Sequence, residues 1–472
     1  GTKNFVGALS DLFRSEFGWD VGPENFALTN GSQNAFFSLF NLFAGKFESG
    51  KSKQILLPLA PEYIGYSEVG LESNFFQANR PEIELLSDGL FKYRVDFDRL
   101  NINESVGALC FSRPTNPTGN VVTDEEVSRL RELANSQGIP LIIDNAYGTP
   151  FPNIIYSQAQ PVWDENIVLC LSLSKFGLPS LRTGIVVARK EVIRIVTRMT
   201  SVFSLSPGSL GPALAFDLVK SGEITRVSNE VVKPFYEDKA KRAVAQLRHE
   251  IGDHIPMRIH KPEGALFLWL WFEGLPISSQ ELYQRLKKKG VLVVSGHYFF
   301  PGMEKENWKH KEECIRVTYA QDEEVVASGI RLIAEEIIKV KRSTSYIIED
   351  PVSIQKNATI EDAATKMVDL GVTSLVVKEG EQLVGIFTKR DYLRFGFEDV
   401  KKSFNLEFIS VIKITNNKDF LQNKKNYQNK LKQKYFKSIN ELNFFLEKKK
   451  NMKLIIDFMS INKKNYSIRN IF

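Results

Sequence analysis

The sequence is poor in the residues that form disulfides or bind transition metals. Only three cysteines and five histidines occur in 472 residues, and the histidines are scattered without the spacing of a zinc site. Cys110, Cys170 and Cys314 are an odd number and lie in or beside apolar runs, which predicts buried thiols in a reduced, cytoplasmic protein. We therefore expect neither a disulfide framework nor a metal centre.

Long hydrophobic runs are also missing. None approaches the roughly 18–20 apolar residues that a helix needs to cross a bilayer. The opening stretch GTKNFVGALSDLF lacks the hydrophobic segment and the cleavage site of a signal peptide. We expect no membrane partner. The length predicts two to four structural units, and 43% hydrophobic residues can supply their cores.

The net charge of +6 is unevenly distributed. Residues 401–472 carry 17 Lys and Arg against 5 Asp and Glu, so the rest of the chain is acidic. Residues 399–472 contain 16 Lys and 12 Asn but no Gly, Pro or Ala. We interpret this tail as low-complexity, partly disordered sequence rather than as a basic arm for RNA or an acidic membrane surface. The charge of residues 1–400 gives no sign of a specific nucleic-acid partner.

The pattern of the first 343 residues predicts an α/β protein. Apolar runs such as VGALCFS, PLIIDNA, NIVLCLSLS and GIVVA alternate with helical patterns, which is typical of a parallel sheet covered by helices. Thr123 and Glu126 form a capping box that predicts a helix over about 124–137. The pattern changes after about residue 240. We expect a large domain over 1–240, a smaller α+β domain over 241–343, a small α/β unit over 344–398, and the tail.

Lys175 follows an apolar strand in the stretch LSLSKFGLPSLRTG, with serines beside it and Arg182 seven residues later. An amine reacts as a nucleophile near neutral pH when it is partly desolvated or lies near positive charge. Arg182 can supply that charge or bind a phosphate. Taken alone, Lys175 is better explained as a lysine whose apolar stem covers a strand end while its amine reaches water.

Four further segments carry polar or aromatic side chains at the ends of predicted elements. Asp144 ends the strand PLII where α/β sheets bind ligands, or it caps a helix. Asn116 lies in the loop RPTNPTG, which is otherwise a plain turn. The stretch TNGSQNA opens a helix and fits a phosphate loop or simple capping. Tyr63 in PLAPEYIGY can stack on a flat ring or belong to the core.

Taken together and in this order, these segments resemble the fold-type-I pyridoxal phosphate-dependent aminotransferases. The match consists of the Gly-Ser-Gln loop, P-x-Y, N-P-T-G, D-x-x-Y, S-x-S-K with a following arginine, and the late arginine of CIRVTY. It covers residues 1 to about 341. Longer phrases such as SRPTNPTGNV and HKPEGALFLWLWF are similar to the branch that acts on valine and pyruvate. The resemblance implies a large mixed, mostly parallel sheet domain followed by a smaller α+β domain.

The resemblance also implies roles for single residues around pyridoxal 5′-phosphate. Lys175 would form the internal aldimine and then move a proton as general base and acid. Asp144 would pair with the pyridine nitrogen, and Tyr63 would stack on the ring. Tyr147 and Asn116 would hydrogen-bond the 3′ oxygen of the ring.

The phosphate and the substrate complete the implied site. Arg316 would clamp the α-carboxylate of the substrate, together with Asn116, a bidentate role that suits arginine. The substrate side should be apolar and lack a second arginine. The residues implied around the phosphate are Ser32, Gln33, Ser172, Ser174 and Arg182.

The implied reaction moves an amino group between valine or alanine and a 2-oxo acid, pyruvate or 3-methyl-2-oxobutanoate, by a ping-pong mechanism. The implied assembly is a homodimer. The family pattern includes an N-terminal arm ahead of Gly1, so we expect a truncated large domain. Two alternatives stay open: a lyase or decarboxylase on the same scaffold, and an inactive domain attached to a nucleotide-sensing module.

Residues 344–398 resemble one CBS motif. Its hallmarks here are the residues NATI at 357–360 and the runs VTSLVV and VGIFTKRD. The resemblance implies an adenine nucleotide as ligand, with Thr388 and Asp391 as the contacts. Such motifs act in pairs and only one copy is visible. A small α/β unit without a ligand is the other interpretation.

Overall fold

The computed structural model describes residues 2–252, 255–344, 352–370, 372, 374–380 and 382–388. The chain divides into two compact units, residues 1–346 and residues 347–472. The predicted tail over 399–472 lies outside the described residues. Of the helices that the structure describes, none is long and apolar enough to cross a membrane.

The first unit contains an eight-stranded sheet that carries the site. Its order is β1-β10-β9-β8-β7-β3-β2, with β4 beside β3. The strands β4, β3, β7, β8 and β9 pair in parallel, which confirms the prediction of a mostly parallel mixed sheet. The bounds of the eight strands are β1 (Phe26–Asn30), β2 (Gly45–Lys46), β3 (Ser52–Leu57), β4 (Phe76–Ala78), β7 (Val106–Ser112), β8 (Leu141–Asp144), β9 (Ile167–Ser172) and β10 (Thr183–Val187).

Strand β10, the run GIVVA, differs from the expectation for these apolar strands. It lies antiparallel between β9 and β1 instead of parallel to its neighbours. Residues 173–182 join it to β9, and parallel strands need a crossover of about a dozen residues or more. The short connection therefore forces the chain to turn back, and it places residues 173–182 at the carboxyl end of β9.

Helices cover both faces of this sheet, and the sheet separates two apolar cores. The capping box predicted for α3 is confirmed, because Glu126 N donates to Thr123 Oγ1 over 3.2 Å and Thr123 N donates to Glu126 Oε2 over 2.8 Å. The helices of the first unit are α1 (Thr2–Phe17), α2 (Ser32–Phe43), α3 (Asp124–Ser136), α4 (Lys190–Ser204), α5 (Leu210–Lys220), α6 (Glu223–Val227), α7 (Lys233–Ile251), α8 (Ser279–Lys287), α9 (His310–Glu313) and α10 (Glu323–Thr344).

A second sheet of six strands follows the order β13-β14-β12-β11-β6-β5. Two of its strands precede residue 240 in the chain and four follow it. The domain boundary at residue 240 therefore stays a prediction. A separate core forms where α7, α8 and α10 pack against this sheet. Its strands are β5 (Glu82–Leu85), β6 (Leu90–Arg94), β11 (Arg258–His260), β12 (Phe267–Trp271), β13 (Val294–Ser295) and β14 (Cys314–Thr318).

The described part of the second unit comprises three strands and one helix. Strand β15 (Ser353–Gln355) pairs in parallel with β16 (Ser374–Glu379), which pairs antiparallel with β17 (Gln382–Thr388). The helix α11 (Ile360–Asp369) begins at a capping box formed by Thr359 and Asp362.

Candidate active site

The eleven residues that the sequence singles out in the first unit line one cavity. Its volume is about 450 Å³, within the usual range for small-molecule sites. The strands β7, β8 and β9 end at its wall, where parallel sheets bind ligands. The eleven residues are Ser32, Gln33, Tyr63, Asn116, Asp144, Tyr147, Ser172, Ser174, Lys175, Arg182 and Arg316.

The N-terminus of α2 and one guanidinium form an anion site in this cavity. The first backbone N–H groups of a helix have no partner within the helix and favour negative charge. Arg182 Nη1 lies 3.4 Å from Ser174 Oγ, and Arg182 adopts a left-handed φ of 48°. We call Ser32, Ser174 and Arg182 the anion cluster.

Gly31 makes the approach of Arg182 possible. Its φ is 86°, and a Cβ at this position would lie 2.2 Å from Arg182 Nη2. A side chain at this position would displace the guanidinium, whereas glycine lets the helix N-terminus and the guanidinium face the same space. We call this arrangement the Gly31 cradle, and its donors suit an anionic group.

Asp144 places a buried carboxylate on the cavity wall. Its Oδ2 accepts a hydrogen bond from Tyr66 Oη over 2.9 Å, and its Oδ1 accepts one from the backbone N–H of Ala146 over 3.0 Å. Burial raises the pKa of Asp144 to about 6, while these two donors and the charge of Lys175 oppose the rise. A cationic group bound against Asp144 would stabilise the ionised form of this carboxyl.

Lys175 lies in the short 3-10 helix Leu173–Phe176, which directly follows β9. Ser172 Oγ caps this turn by accepting a hydrogen bond from Ser174 N over 3.1 Å. Burial lowers the pKa of the Lys175 amine, and the charges of Arg316 and Arg182 lower it further. The neutral amine is therefore more available than in a solvated lysine, which suits both nucleophilic attack and proton transfer.

Arg316 meets Asn116 across the two sheets. Arg316 Nη1 donates to Asn116 Oδ1 over 2.8 Å, although the two residues are 200 positions apart. The guanidinium carbon lies 4.3 Å from the ring centroid of Phe267 and 5.3 Å from that of Phe299. These rings fix the guanidinium by cation–π contact. We call Asn116, Phe267 and Arg316 the carboxylate cluster.

Aromatic and amide side chains complete the wall. Tyr147 lies with its ring centroid 5.2 Å from Lys175 Nζ and packs edge-on against Phe267. Tyr63 packs edge-on against Tyr66, with 5.5 Å between the ring centroids. Gln33 Nε2 donates to the carbonyl of Gly65 over 2.7 Å and so anchors the Tyr63 segment to α2.

Sequence reasoning missed the groups that lie behind Asp144. Glu62, Tyr66 and Ser112 are buried, and their side chains form a hydrogen-bonded chain that ends at Asp144. Glu62 and Tyr66 stand in the quoted run PLAPEYIGY, but no local pattern marks them as buried. Phe267 was missed for a similar reason, because it reads as one more apolar residue of a strand.

The donor set fits pyridoxal 5′-phosphate. This cofactor has a phosphate for the anion cluster, a basic ring nitrogen for Asp144, and an aldehyde within the chemistry of Lys175. The Gly31 cradle and a buried carboxylate turned to the cavity are the observations that support the fit. The roles of the eleven residues stay predictions.

The two residues predicted to contact a nucleotide belong to the second unit. Thr388 is the last residue of β17. Asp391 lies outside the described residues. The predicted contacts to an adenine nucleotide stay a prediction.

Comparison with known proteins gives the same division of the chain. Residues 88–333 match the family model "Aminotransferase class I and II", and residues 343–398 match the model "CBS domain". A valine–pyruvate aminotransferase of Escherichia coli K12 is 52% identical over 337 residues, which cover 71% of this chain and 80% of that protein.

Solved structures are similar over the same region. A valine–pyruvate aminotransferase from Salmonella typhimurium LT2 superposes with a TM-score of 0.68 at 50% identity, covering 72% of this chain and 85% of the other. An aspartate aminotransferase of Thermus thermophilus superposes with a TM-score of 0.59 at 22% identity. The match covers 71% of this chain and 86% of the other. The second comparison shows a shared fold only.

Proposed function

The chain belongs to the class I and II aminotransferases, which depend on pyridoxal phosphate, and from this premise we propose that it transfers an amino group between valine or alanine and the 2-oxo acids pyruvate or 3-methyl-2-oxobutanoate. One observation carries the proposal: residues from six separate segments converge on a single cavity with an anion site, a buried carboxylate and a reactive amine. The family match favours transamination over lyase or decarboxylase chemistry.

The cofactor would be held by residues of the large sheet. When bound, pyridoxal phosphate supplies an aldehyde that condenses with amines and a ring that accepts electron density from the neighbouring carbon. The anion cluster, with Gln33 and Ser172 beside it, binds the phosphate. Asp144 holds its negative charge toward the ring nitrogen, and Tyr63 and Tyr147 flank the ring.

Lys175 is the residue that holds and moves the proton. Its lowered pKa increases the fraction of neutral amine, and this amine takes a proton from the α-carbon of the substrate and returns it. Burial and the charges of Arg316 and Arg182 lower the pKa of the amine, and the charge of Asp144 raises it. Asn116 and Tyr147 offer hydrogen bonds to an oxygen on the ring.

Arg316 binds the α-carboxylate of the amino acid and of the 2-oxo acid. Its contact with Asn116 and the rings of Phe267 and Phe299 hold the guanidinium in one orientation. Among the described residues that line the cavity, the cations are Lys175, Arg182 and Arg316. Among these described lining residues there is no further cation to pair with an acidic substrate side chain, which favours an apolar side chain.

The substrate proposal is tested with the full chain loaded with pyridoxal phosphate. We expect valine and alanine to yield their 2-oxo acids with pyruvate or 3-methyl-2-oxobutanoate as acceptor, and aspartate to react much more slowly. Release of ammonia or carbon dioxide without an acceptor would support a lyase or a decarboxylase instead. Faster reaction of aspartate than of valine would contradict the assignment of an apolar substrate.

We propose that the chain forms a homodimer through an apolar patch next to the site. Five side chains around the loop between α4 and α5 are at least half exposed. The loop contacts the turn before α2, because Gly208 N donates to Asn30 Oδ1 over 2.9 Å. A patch of this kind on a soluble protein marks a protein interface. The five residues are Val202, Phe203, Leu205, Leu210 and Leu214.

Light scattering tests this assembly. We expect twice the chain mass for the wild type and the single chain mass for the variant Leu205→Asp. A wild type that stays at the single chain mass at all concentrations would rule out the dimer.

We also propose that the second unit binds an adenine nucleotide. Support comes from the CBS family match over residues 343–398 and from the sheet that ends at Thr388. Calorimetric titration of the full chain with ATP, ADP and AMP tests it, and absence of heat for all three would contradict it.

The three cysteines are buried and form no disulfide, and on this basis we propose a cytoplasmic location.

A further inference from the structure

A buried ion pair, Lys92 with Glu263, is not used by the proposed reaction. Lys92 lies in β6 and is 2% exposed, and Glu263 lies between β11 and β12 and is 5% exposed. Lys92 Nζ donates to Glu263 Oε2. It also donates to Asn120 Oδ1 over 2.8 Å and to the backbone carbonyl of Val121 over 3.0 Å. The three protons of the ammonium group therefore each have an acceptor, and two of these acceptors belong to the loop that follows β7.

Glu263 is bound to the same loop. Its Oε2 also accepts a hydrogen bond from the backbone N–H of Val121 over 3.2 Å, and its Oε1 lies 3.3 Å from Lys261 Nζ. Burial raises the pKa of this carboxyl, but the charge of Lys92 and the hydrogen bonds from Lys92 and Val121 help to bring the pKa below the ordinary value of a glutamate. Both members of the pair therefore hold the loop, and they tie it to the six-stranded sheet.

The loop held by the pair is the one that carries Asn116. Residues 115–120 close on themselves, because Thr115 N donates to the carbonyl of Asn120 over 2.8 Å and Gly119 N donates to the carbonyl of Thr115 over 2.8 Å. Asn116 lies within this closed turn. Asn120 lies at its end and is the residue whose side chain Lys92 holds. A shift of Asn120 would therefore move Asn116.

The other end of the pair leads to the ring that supports Arg316. Three residues separate Glu263 from Phe267, the first residue of β12, and the centroid of the Phe267 ring lies 4.3 Å from the guanidinium carbon of Arg316. The Asn116 loop packs directly on this segment, because a Cβ on Gly119 would lie 2.6 Å from the carbonyl oxygen of Gly264. The ion pair thus clasps two segments that are already in contact, and each segment supplies part of the carboxylate cluster.

We propose that Lys92 and Glu263 are positioning residues that hold Asn116 at the right distance from Arg316 and so preform the carboxylate cluster. They act through the turn at 115–120 and the segment at 263–267, and neither is among the described residues that line the cavity. The inference rests on the proposed function, because it takes this cluster to bind the α-carboxylate. A pair that only held the fold together would change stability, whereas a positioning pair also sets the affinity for carboxylates.

The double variant Lys92→Met with Glu263→Met separates positioning from stability. Apolar residues of similar volume often replace a buried ion pair without loss of stability, but they make no hydrogen bond to the loop. In the full chain loaded with pyridoxal phosphate, we expect the KM values for valine and pyruvate to rise by about tenfold, the size of a weakened charged hydrogen bond. The kcat and the Kd for pyridoxal phosphate should change by less than about threefold, because only carboxylate binding is weakened.

Asn120→Ala is the milder variant, because it removes one acceptor of Lys92 and leaves the ion pair and the backbone bonds of the turn in place. Both KM values should rise by about threefold, the size of a weaker hydrogen-bond loss. Lys289→Met with Glu336→Met is the matched control. Lys289 Nζ lies 2.7 Å from the buried Glu336 Oε2, and this pair ties the end of α8 to α10. The control should leave both KM values unchanged. If a variant of the Lys92 site folds as wild type does and also leaves both values unchanged, the proposal is wrong.

Urea unfolding of the cofactor-free full chain tests the same inference without any substrate. In the wild-type background, Asn116→Ala should lower the free energy of unfolding, because Arg316 Nη1 loses its partner. In the background of the double variant at Lys92 and Glu263, most of this loss should disappear, because Asn116 and Arg316 no longer meet. An equal loss in both backgrounds would overturn the inference, whatever substrate the enzyme uses. If the loss disappears as expected but the wild type does not transaminate valine, the positioning role stands and the proposed function is wrong.

Discussion

The anion cluster and the carboxylate cluster line the same cavity, but the chain assembles them differently. Ser174 and Arg182 of the anion cluster lie within one short connection between β9 and β10. Asn116 of the carboxylate cluster lies in the turn that follows β7 of the eight-stranded sheet, and Arg316 lies in β14 of the six-stranded sheet, 200 positions away. One short motif therefore brings together Ser174 and Arg182 on the proposed cofactor side, where Ser32 joins them from the start of α2. On the proposed substrate side, long-range packing alone brings Asn116 and Arg316 together. The variants below test this difference, because a change in one cluster should leave the binding affinity of the other cluster unchanged.

Lys175→Ala should have the largest effect on turnover, because Lys175 serves both sides. Loss of the base that moves the proton should reduce the rate by roughly a thousandfold or more. The initial rate of valine-dependent conversion of pyruvate measures it, with the exposed Lys190→Ala as control. A Lys175→Ala rate within a factor of ten of wild type would show that another group moves the proton.

Arg316→Lys should weaken the substrate side alone. Lysine keeps the charge but cannot bind a carboxylate and Asn116 with the same planar geometry. We expect the KM values for valine and pyruvate to rise by roughly 10- to 100-fold, the size of a lost charged hydrogen bond. The Kd for pyridoxal phosphate should stay at the wild-type value. If the Kd for pyridoxal phosphate rose as much as the KM values, the two clusters would not act separately, which would contradict the proposal.

Gly31→Ala should weaken the cofactor side alone. Its Cβ would collide with Arg182 Nη2, so we expect the Kd for pyridoxal phosphate to rise by about tenfold, the size of a weakened charged contact. Gly138→Ala is the matched control, since Gly138 has a similar φ of 64° but nothing within 4 Å of its Cβ position. Both variants should lose about 1 kcal/mol of stability from backbone strain. Equal cofactor affinity in the two variants would contradict the cradle.

Glu62→Gln should leave both clusters in place and change only how stability depends on pH. The pKa of Glu62 is raised from 4.5 to about 8 in the folded chain. The stability from this shift is fully present below pH 4.5 and is lost as the pH rises through 8. Wild type should therefore lose up to about 1.4 kcal/mol per pH unit relative to Glu62→Gln in this window. Urea unfolding of the cofactor-free chain at several pH values measures this slope. If the free energy of unfolding depended on pH equally in wild type and Glu62→Gln, the raised pKa of Glu62 would be contradicted.

Features that depend on neighbours in sequence could be predicted. The capping box at Thr123 and the strand that ends at Asp144 follow from local patterns. The eleven residues of the cavity could be named because they occur in short motifs that resemble those of a known family. The structure adds the finding that these eleven residues line one cavity.

Features that depend on distant packing could not be predicted. Nothing near Glu62 in the sequence shows that it is fully buried against Ser112, since Glu is usually exposed. The contact of Arg316 with Phe267 needs the register of β12 on β14, which places residues 267 and 318 opposite each other. The antiparallel direction of β10 follows from the length of its connection, a signal that the apolar pattern alone does not contain.

The central claim is that Lys175 is the amine that reacts with pyridoxal phosphate in this cavity. Borohydride fixes an imine-linked cofactor to its lysine, and peptide mass mapping of the loaded full chain then locates it. We predict the added mass on the peptide that contains Lys175 and its absence from all others. A label on a different lysine, or no label on a chain that has bound the cofactor, would contradict the account.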